Sequence, residues 1–322
     1  MAGFNDEGDV VLDVPISFRA HEIVISPDKS SAIAVARRPG VELVRIELPS
    51  GRLLQNAMAA AKRHFYGHSV FSADGQLLFT AENDYDNARG VIGVRRSADL
   101  QLVNEFGSYG LGPHELKLST DKQTLIVANG GILTHPAQGR EKLNVGSMQP
   151  NLAFINSVSG ELVESVAPDF RQNSVRHIDV LADDTVLIGM QQSGDEPDQA
   201  LIAIAKQGPT LETLDLTELS LREMRRYSAS VCADPRTGYA VATCPRGNIV
   251  TFWDIEGESS VGSVRIPDAA GVCLHPERNE FVVSTGRGMI YRIDSKSLKV
   301  IHSKTRRHNG MRWDNHLSSA FI

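Results

Sequence analysis

The sequence predicts an all-β protein: a seven-bladed β-propeller of four-stranded antiparallel blades. Hydrophobic residues alternate with a period of two in short runs that are separated by turn residues. The runs recur at about 45 residues, the length of one propeller blade. Seven turn-ending segments each carry one anchor residue in the same place, which gives the count of seven blades: His21, His68, His114, His177, Ser230, Gly271 and His316.

The second repeat shows how each unit divides into four strands. Its candidate strands are HSVFS from His68, LLFTAE from Leu77, GVIGVRR from Gly90 and LQLVNEF from Leu100. The SADG sequence between the first two favours a tight turn. The same order fits the third to sixth repeats.

The two ends of the chain are expected to close the ring, so that residues 1–322 form a single propeller domain. The segment from Arg312 to Ile322 supplies a first strand, and Val10 to Ile16 supplies the outer strand of the same last blade. Sharing one blade in this way would hide the sheet edges. The stretch before Val10 is short, so either this blade has fewer strands or the natural start lies upstream.

Insertions lengthen the repeat in two places, from Gly130 to Asn151 and from Thr217 to Arg226. Gly130 to Asn151 is an insertion without a strand pattern, and loops of this length are often functional. This insertion is expected to form either a lid that carries His135 or an ordinary surface loop. Gln55–Phe65 and Leu216–Tyr227 favour short connecting helices.

Composition excludes several classes of protein. Lys and Arg number 33 against 39 Asp and Glu, a net charge of −6 without basic runs, which disfavours nucleic-acid binding. No apolar run approaches the length of a membrane span, and no signal peptide is visible. The three cysteines, Cys232, Cys244 and Cys273, lie in apolar runs and are expected to be buried and free.

Histidine occupies five of the seven anchors, although the chain has only ten histidines. First strands of propeller blades line the central channel, and converging imidazoles suit copper, iron or zinc. The candidate metal ligands are His21, His68, His114, His177 and His316. The alternative is a wet channel in which these rings bind water and backbone.

The spacing of the anchors raises a difficulty for convergence. His21 and His114 precede their turns by six residues, whereas His68 and His177 precede theirs by five. In a regular strand this difference turns the side chain to the other face, so convergence requires a β-bulge in one class.

Polar residues around the anchors favour a site for a small anionic ligand, because guanidinium groups bind carboxylate and phosphate bidentately. The alternative is internal ion pairing at the rim. The candidate ligand-binding residues are Arg38, Glu82, Asn83, Arg89, Glu115, Asn129, Arg140, Lys142, Arg176, Gln192, Arg246, Asp314 and Asn315.

Familiar catalytic signatures, such as GxSxG, a P-loop, GxGxxG and HExxH, are absent from the sequence. TFWDI contains a single Trp-Asp pair, whereas a WD-repeat protein carries it in several blades. Trp253 is therefore expected to pack in the core.

Several motifs resemble the bacterial domain-of-unknown-function family 1513, in order and over almost the whole chain. They are ARRPG (36–40), ENDYDNARGVIGV (82–94), GPHELKL (112–118), VANGGILTHPAQGREKLN (127–144), CPRGN (244–248) and RWDNHL (312–317). The resemblance implies a propeller of the quinoprotein-amine-dehydrogenase and nitrous-oxide-reductase-like type.

Members of that family usually carry an export signal and lie near genes for iron-uptake lipoproteins and haem peroxidases. The resemblance therefore implies a periplasmic protein with envelope iron-uptake or peroxidase partners. This chain departs in lacking the export segment, and a cytoplasmic location follows if its start is the natural one.

Three functions remain open at this stage. The first is a binding propeller that takes a transition metal or an anionic ligand, without catalysis. The second is a metal-dependent lactonase-like hydrolase, because residues 112–131 resemble one blade of lactonase propellers; Glu82, Asn129, Arg176 and His177 would then act around a divalent cation. The third is a protein-interaction platform.

Overall fold

The structure, a computed structural model, describes residues 1–139, 141–206 and 210–319. The fold is all-β and consists of the four-stranded antiparallel blades of a β-propeller. The chain divides into two compact units. Of the described residues, the first contains Met1–Phe4 and Val10–Arg176, and the second contains Asn5–Asp9 and those from His177 to Ser319.

The first unit begins with a hairpin of β1 (Ala2–Phe4) and β2 (Val10–Asp13), and three blades follow it. Blade 1 comprises β3 (Ala20–Ile25), β4 (Ser31–Ala36), β5 (Glu42–Glu47) and β6 (Leu53–Met58). Blade 2 comprises β7 (Arg63–Phe71), β8 (Leu77–Asp84), β9 (Arg89–Arg96) and β10 (Leu102–Gly107). Blade 3 comprises β11 (Pro113–Leu118), β12 (Thr124–Asn129), β13 (Asn151–Asn156) and β14 (Leu162–Val166).

The boundary between the units falls within β15 (Asn173–Val180), the first strand of blade 4. The other strands of blade 4 are β16 (Val186–Gln192), β17 (Ile202–Ala205) and β18 (Leu211–Thr213). The helix α1 (Glu218–Glu223) follows. Blade 5 comprises β19 (Ser230–Asp234), β20 (Tyr239–Cys244), β21 (Ile249–Asp254) and β22 (Ser259–Arg265). Blade 6 comprises β23 (Ala269–Leu274), β24 (Glu280–Thr285), β25 (Met289–Asp294) and β26 (Arg306–Arg307).

The prediction of seven blades is wrong, because the described residues form six four-stranded sheets and one two-stranded hairpin. Val10 to Ile16 contributes only β2, which pairs with β1. No strand is assigned between 308 and 319, although that segment carries the seventh anchor, His316. The anchor pattern recurs a seventh time, but no backbone ladder forms there to make a blade.

The four strands expected in the second repeat are confirmed as β7 to β10. Apolar side chains from neighbouring blades pack together to form the core. Phe65 and Phe71 of β7 pack with Ile33 and Val35 of β4, and all but Phe71 are fully buried. Every residue of the inner strand β4 is buried, so both of its faces are covered, while the outer strand β6 stays largely exposed.

The turns between the first and second strands of blades 1 to 3 contain the same side-chain hydrogen bond. The hydroxyl groups of Ser26, Ser72 and Ser119 each donate to an aspartate two residues later, at 2.6 Å in all three blades. The Asp28 carboxylate accepts from Ser26 and Ser30, and these bonds lower its pKa to about 2. The repeated Ser-x-Asp sequence thus fixes the hairpin that positions the start of each blade.

Of the two expected helices, one is wrong and one is confirmed in part. Gln55 to Met58 extends β6, because its ladder to β5 overrides the helical propensity of the Ala-rich sequence. Helix α1 covers six residues of the second segment, and Thr217 caps its N-terminus. No described helix is long and apolar enough to cross a membrane.

The expected burial is confirmed for Trp253 and for two of the three cysteines. Cys232 and Cys244 are buried, Cys273 is partly buried, and none of the three is joined in a disulfide. The Trp253 side chain is fully buried, and its indole N–H donates to the Thr251 hydroxyl at 2.9 Å.

Candidate metal centre

Three of the anchor histidines meet in the first unit. His21 lies on β3, His68 on β7 and His114 on β11, so each of blades 1 to 3 supplies one ring. The ring centroids are 4.9 Å apart for His21 and His68, 4.8 Å for His68 and His114, and 5.7 Å for His21 and His114. One nitrogen of each ring lies within 4.8 Å of the other two, which is close enough to hold a metal ion.

Irregularities in the first strands bring these rings together. The ladder of β3 skips His21, and the ladder of β11 skips His114, so each is the single extra residue of a bulge. In β7 the ladder skips from Phe65 to Ser69, which leaves a longer bulge ending at His68. All three strands thus carry a bulge. The larger bulge in β7 offsets the difference of one residue in the spacing from anchor to turn.

Gly67 permits the close approach of two of the histidines. Its φ of +107° is a conformation that L-residues rarely adopt, and a Cβ there would lie 2.5 Å from the Cβ of His21. No side chain other than hydrogen fits between β3 and the bulge of β7. The close approach of His21 and His68 therefore depends on glycine at position 67.

Two glutamates lie beside the histidine cluster. Glu22 Oε2 is 3.2 Å from His68 Nδ1 and also accepts from the Ser69 N–H at 3.2 Å. Glu115 Oε1 is 3.3 Å from Lys117 Nζ. Donor atoms of the two glutamates and of His68 lie within 4.8 Å of one another. A carboxylate beside one ring nitrogen is a common neighbour of metal-binding histidines.

A guanidinium group adjoins the cluster as well. Arg176, in the middle of β15, places Nη1 3.4 Å from His114 Nδ1. It lies over Gly130, where a Cβ would be 3.5 Å from its Cζ and Nε atoms. The Ser174 hydroxyl donates to the Gly130 carbonyl at 2.8 Å, which ties this part of β15 to the end of β12.

Next to this site is a buried polar group built on His64 and Tyr66. Burial lowers the pKa of His64 to about 4, against the opposing effect of its hydrogen bond to the Phe65 carbonyl. The neutral ring therefore donates from Nδ1 and accepts at Nε2 from Asn83, 3.0 Å away. Burial raises the pKa of Tyr66, while Thr134 and the charges of Arg38 and Arg176 act in the opposite direction.

The remaining anchors lie in the second unit, where His177 and His316 have ring centroids 4.9 Å apart. His177 is buried. Gly271, the sixth anchor, gives room to the C-terminal segment, because a Cβ there would lie 2.9 Å from the carbonyl carbon of His316. The second unit thus holds its own pair of anchor histidines.

Several candidate ligand residues serve the fold. Glu82 is fully buried, and its Oε1 accepts from Thr80 at 2.8 Å and from Arg95 at 2.9 Å. Arg89 pairs with Asp84 at 2.8 Å and with Glu105 at 3.1 Å. These contacts match the alternative of internal ion pairing at the rim.

Other candidate ligand residues donate hydrogen bonds from their side chains to backbone carbonyls of loops. The Asn129 amide donates to the Ser108 carbonyl at 2.7 Å, and the Gln192 amide donates to the Pro197 carbonyl at 2.6 Å. Asn83 donates to the carbonyl of Thr134 at 3.2 Å. Lys142 is exposed, and Arg140 lies outside the described residues.

The remaining candidate ligand residues, Arg246, Asp314 and Asn315, belong to one group of polar side chains in the second unit. The Arg246 guanidinium lies over the Tyr227 ring, 4.3 Å from its centroid, and the Asn315 amide lies 3.4 Å from the Tyr227 hydroxyl. Asp314 accepts from the Asn315 N–H at 2.8 Å. These contacts stabilise the C-terminal segment within the unit.

The insertion is attached to the first unit by specific contacts. Asn144 accepts from the Leu133 N–H and donates to the Gly131 carbonyl, which closes the loop on itself. The His135 ring meets Tyr85 edge to face at 5.1 Å, and its Nδ1 accepts from Ala137 at the start of a 3₁₀ turn, Pro136–Gln138. A second 3₁₀ turn spans Val145–Ser147.

Sequence reasoning missed Glu22, His64 and Tyr66. A usable signal existed for Glu22, because a His-Glu pair occurs at residues 21–22 and again at 114–115, at the same place in two repeats. His64 and Tyr66 precede their anchor and give no comparable repeat.

A family model with the description "Protein of unknown function (DUF1513)" matches residues 14–320. The chain belongs to this family. The resemblance drawn from the sequence motifs is thereby confirmed, and the DUF1513 match covers every residue of the histidine cluster.

Other comparisons bear on the fold alone. Hydrazine synthase of Kuenenia stuttgartiensis is similar in structure, with a TM-score of 0.68 and 15% sequence identity. The similarity covers 94% of this DUF1513 chain and 87% of that chain. A search of the curated proteins gives no match.

Proposed function

We propose that this DUF1513 protein binds a divalent transition-metal ion through His21, His68 and His114. The observation that carries the proposal is the meeting of three imidazoles, one from each of three blades, with donor nitrogens within 4.8 Å of one another. Imidazole suits zinc, copper and iron, so the ligand set favours one of these ions.

The surroundings support a metal over a purely structural role. His68 is fully buried, and Glu22 Oε2 lies 3.2 Å from its Nδ1. Metal-binding histidines commonly have a carboxylate beside their second ring nitrogen. Three protein ligands also leave at least one coordination position for a small molecule, as in catalytic zinc sites.

The experiment is elemental analysis of tag-free protein by plasma mass spectrometry, before and after incubation with zinc, copper or iron and desalting. The wild type is expected to retain close to one metal ion per chain, and His114→Ala to lose it. His302→Ala is the matched control, because His302 is exposed and outside the cluster. Wild-type protein that retains no metal after reconstitution would contradict the proposal.

The lactonase-like alternative gains no specific support from the structure. It needs Glu82 and Asn129 as ligands of a divalent cation. The Glu82 carboxylate is buried in its pair with Arg95, and the Asn129 amide is bonded to the Ser108 carbonyl. Both side chains already have structural partners, so the binding function is preferred.

We also propose that the protein works in the bacterial envelope, together with an iron-uptake or peroxidase system. The support is the family resemblance alone. Immunoblots of periplasmic and cytoplasmic fractions, from cells that express the gene from its native start, test the location. Protein confined to the cytoplasmic fraction would overturn it.

A further inference from the structure

We propose that Glu22, His68 and Glu115 form a second metal position beside the three histidines, and that it takes a harder divalent cation, Mn²⁺ or Fe²⁺. The two positions share His68, so only one of them is filled at a time. The inference rests on the proposed function, because it adds an alternative position to the same histidine cluster.

The three side chains of this second position lie close enough together to hold an ion. One donor atom from each of Glu22, His68 and Glu115 lies within 4.8 Å of the other two. Their side chains are 12%, 0% and 6% exposed, respectively, so the set is largely removed from water. Two carboxylates so placed repel each other, and a cation between them offsets that repulsion.

The bulges that bring the histidines together also turn the glutamates toward His68. His21 and Glu22 are consecutive on β3, and His114 and Glu115 are consecutive on β11. Consecutive residues of a regular strand point to opposite faces of the sheet. Each of these His-Glu pairs falls at a bulge, where two residues oppose one on the neighbouring strand and a side chain is re-aimed. Both members of each pair therefore reach His68.

The donor atoms of this set indicate which ions it prefers. Carboxylate oxygens suit hard cations such as manganese, and a mixture of imidazole and carboxylate is typical of non-haem ferrous sites. Calcium and magnesium are bound by oxygen ligands, so the imidazole of His68 disfavours them. The carboxylates also supply negative charge, which three neutral imidazoles do not. Mn²⁺ and Fe²⁺ therefore fit this position better than the three-histidine position.

The shared histidine makes the two positions alternatives. A neutral imidazole has one nitrogen that can bind a metal, because the other nitrogen carries the proton. His68 is the common member of both sets of donors. It therefore serves one ion at a time, either with His21 and His114 or with the two glutamates. The kind of ion decides which position is filled.

The rival is that Lys117 satisfies the carboxylates without any metal. Its Nζ lies 3.3 Å from Glu115 Oε1, and its side chain is 35% exposed. Because this ammonium group ends a long, flexible and partly solvated side chain, a divalent cation can displace it. The competition weakens ion binding, so an ion at the glutamates is expected to be lost on desalting. Metal that survives desalting then reports the three-histidine position.

The test is an equilibrium titration with Mn²⁺, followed by the loss of the electron paramagnetic resonance signal of free manganese. Wild type is expected to bind one Mn²⁺, and zinc-loaded wild type none. Glu115→Gln should weaken manganese binding by about tenfold or more, the range found when groups around a metal are changed, and should still retain zinc after desalting. His114→Ala should do the reverse and bind manganese as wild type does.

Three further variants complete the comparison. Glu22→Gln should behave as Glu115→Gln does, and its amide oxygen can still accept from the Ser69 N–H. Lys117→Gln should bind manganese more tightly than wild type, because the competing ammonium group is gone. Glu161→Gln is the matched control, because Glu161 is exposed beyond the β13–β14 turn, and it should behave as wild type.

The possible results separate this inference from the proposed function. Wild type that binds no manganese, or manganese binding that neither glutamate substitution weakens, would overturn the inference and leave the three-histidine proposal standing. Manganese binding to zinc-loaded protein would overturn the sharing of His68. Wild type that binds manganese through the glutamates and retains no zinc would support the second position and refute the three-histidine position.

Discussion

Substituting alanine for Gly67 tests whether the histidine cluster depends on close approach of the backbone. The added Cβ would lie 2.5 Å from His21 Cβ and 2.6 Å from its Cδ2 atom, so the His21 ring or the β7 bulge must move. Overpacking of this kind costs about 1–3 kcal/mol. Holding an L-residue at a φ of +107° adds about 1–3 kcal/mol. We expect a loss of about 2–6 kcal/mol in the free energy of unfolding, together with weaker metal binding.

The assay is urea denaturation followed by circular dichroism, with metal affinity measured on the same samples. Gly238→Ala is the matched control: its φ is +75°, and nothing lies within 4 Å of the added Cβ. That variant should lose only about 1–2 kcal/mol from backbone strain. If Gly67→Ala were as stable as Gly238→Ala and bound metal normally, the account of the bulge would be refuted.

Three further predictions concern buried groups. Glu82→Gln should cost about 3–5 kcal/mol in urea denaturation, because it leaves the buried Arg95 charge without its carboxylate. The pKa of His64 is lowered by burial to about 4, so the unfolded state binds the proton first as pH falls; wild type should lose about 2 kcal/mol of stability between pH 7 and pH 5, and His64→Gln should lose distinctly less. Burial raises the pKa of Cys244 to about 12, so its thiol should resist Ellman's reagent at pH 8 until urea unfolds the protein, and rapid labelling of native Cys244 by mass spectrometry would contradict this.

The blades were predictable because their signals are local. The apolar run in LLFTAE and the Ser-x-Asp turn before it are properties of a few adjacent residues, and they specify the hairpin that β7 and β8 form. The blade count was not predictable in the same way. His316 repeats the anchor pattern, but a blade requires ladder partners, and the anchor pattern does not encode them.

From the sequence, the histidines could be predicted to converge only on the condition that some of the first strands carry a bulge. Residue counting showed that regular strands would point His68 and His114 to different faces, and it could not say which strand carries a bulge. The bulges depend on contacts between blades, above all the fit of Gly67 against His21, which no stretch of adjacent residues reveals. Arg176 was a candidate on charge alone, and its nearness to His114 comes from the packing of β15 against β12.

The distribution of the cluster, with one histidine on each of three successive blades, has a kinetic consequence. His21 and His114 are far apart in the chain, so their nitrogens meet only after blades 1, 2 and 3 have all docked. A ligand that needs all three binds the native state alone. Interactions that are absent from the folding transition state slow unfolding and leave the folding rate unchanged. Bound metal would then slow unfolding and leave the folding rate unchanged, so it would lengthen the lifetime of the assembled blades without guiding their assembly.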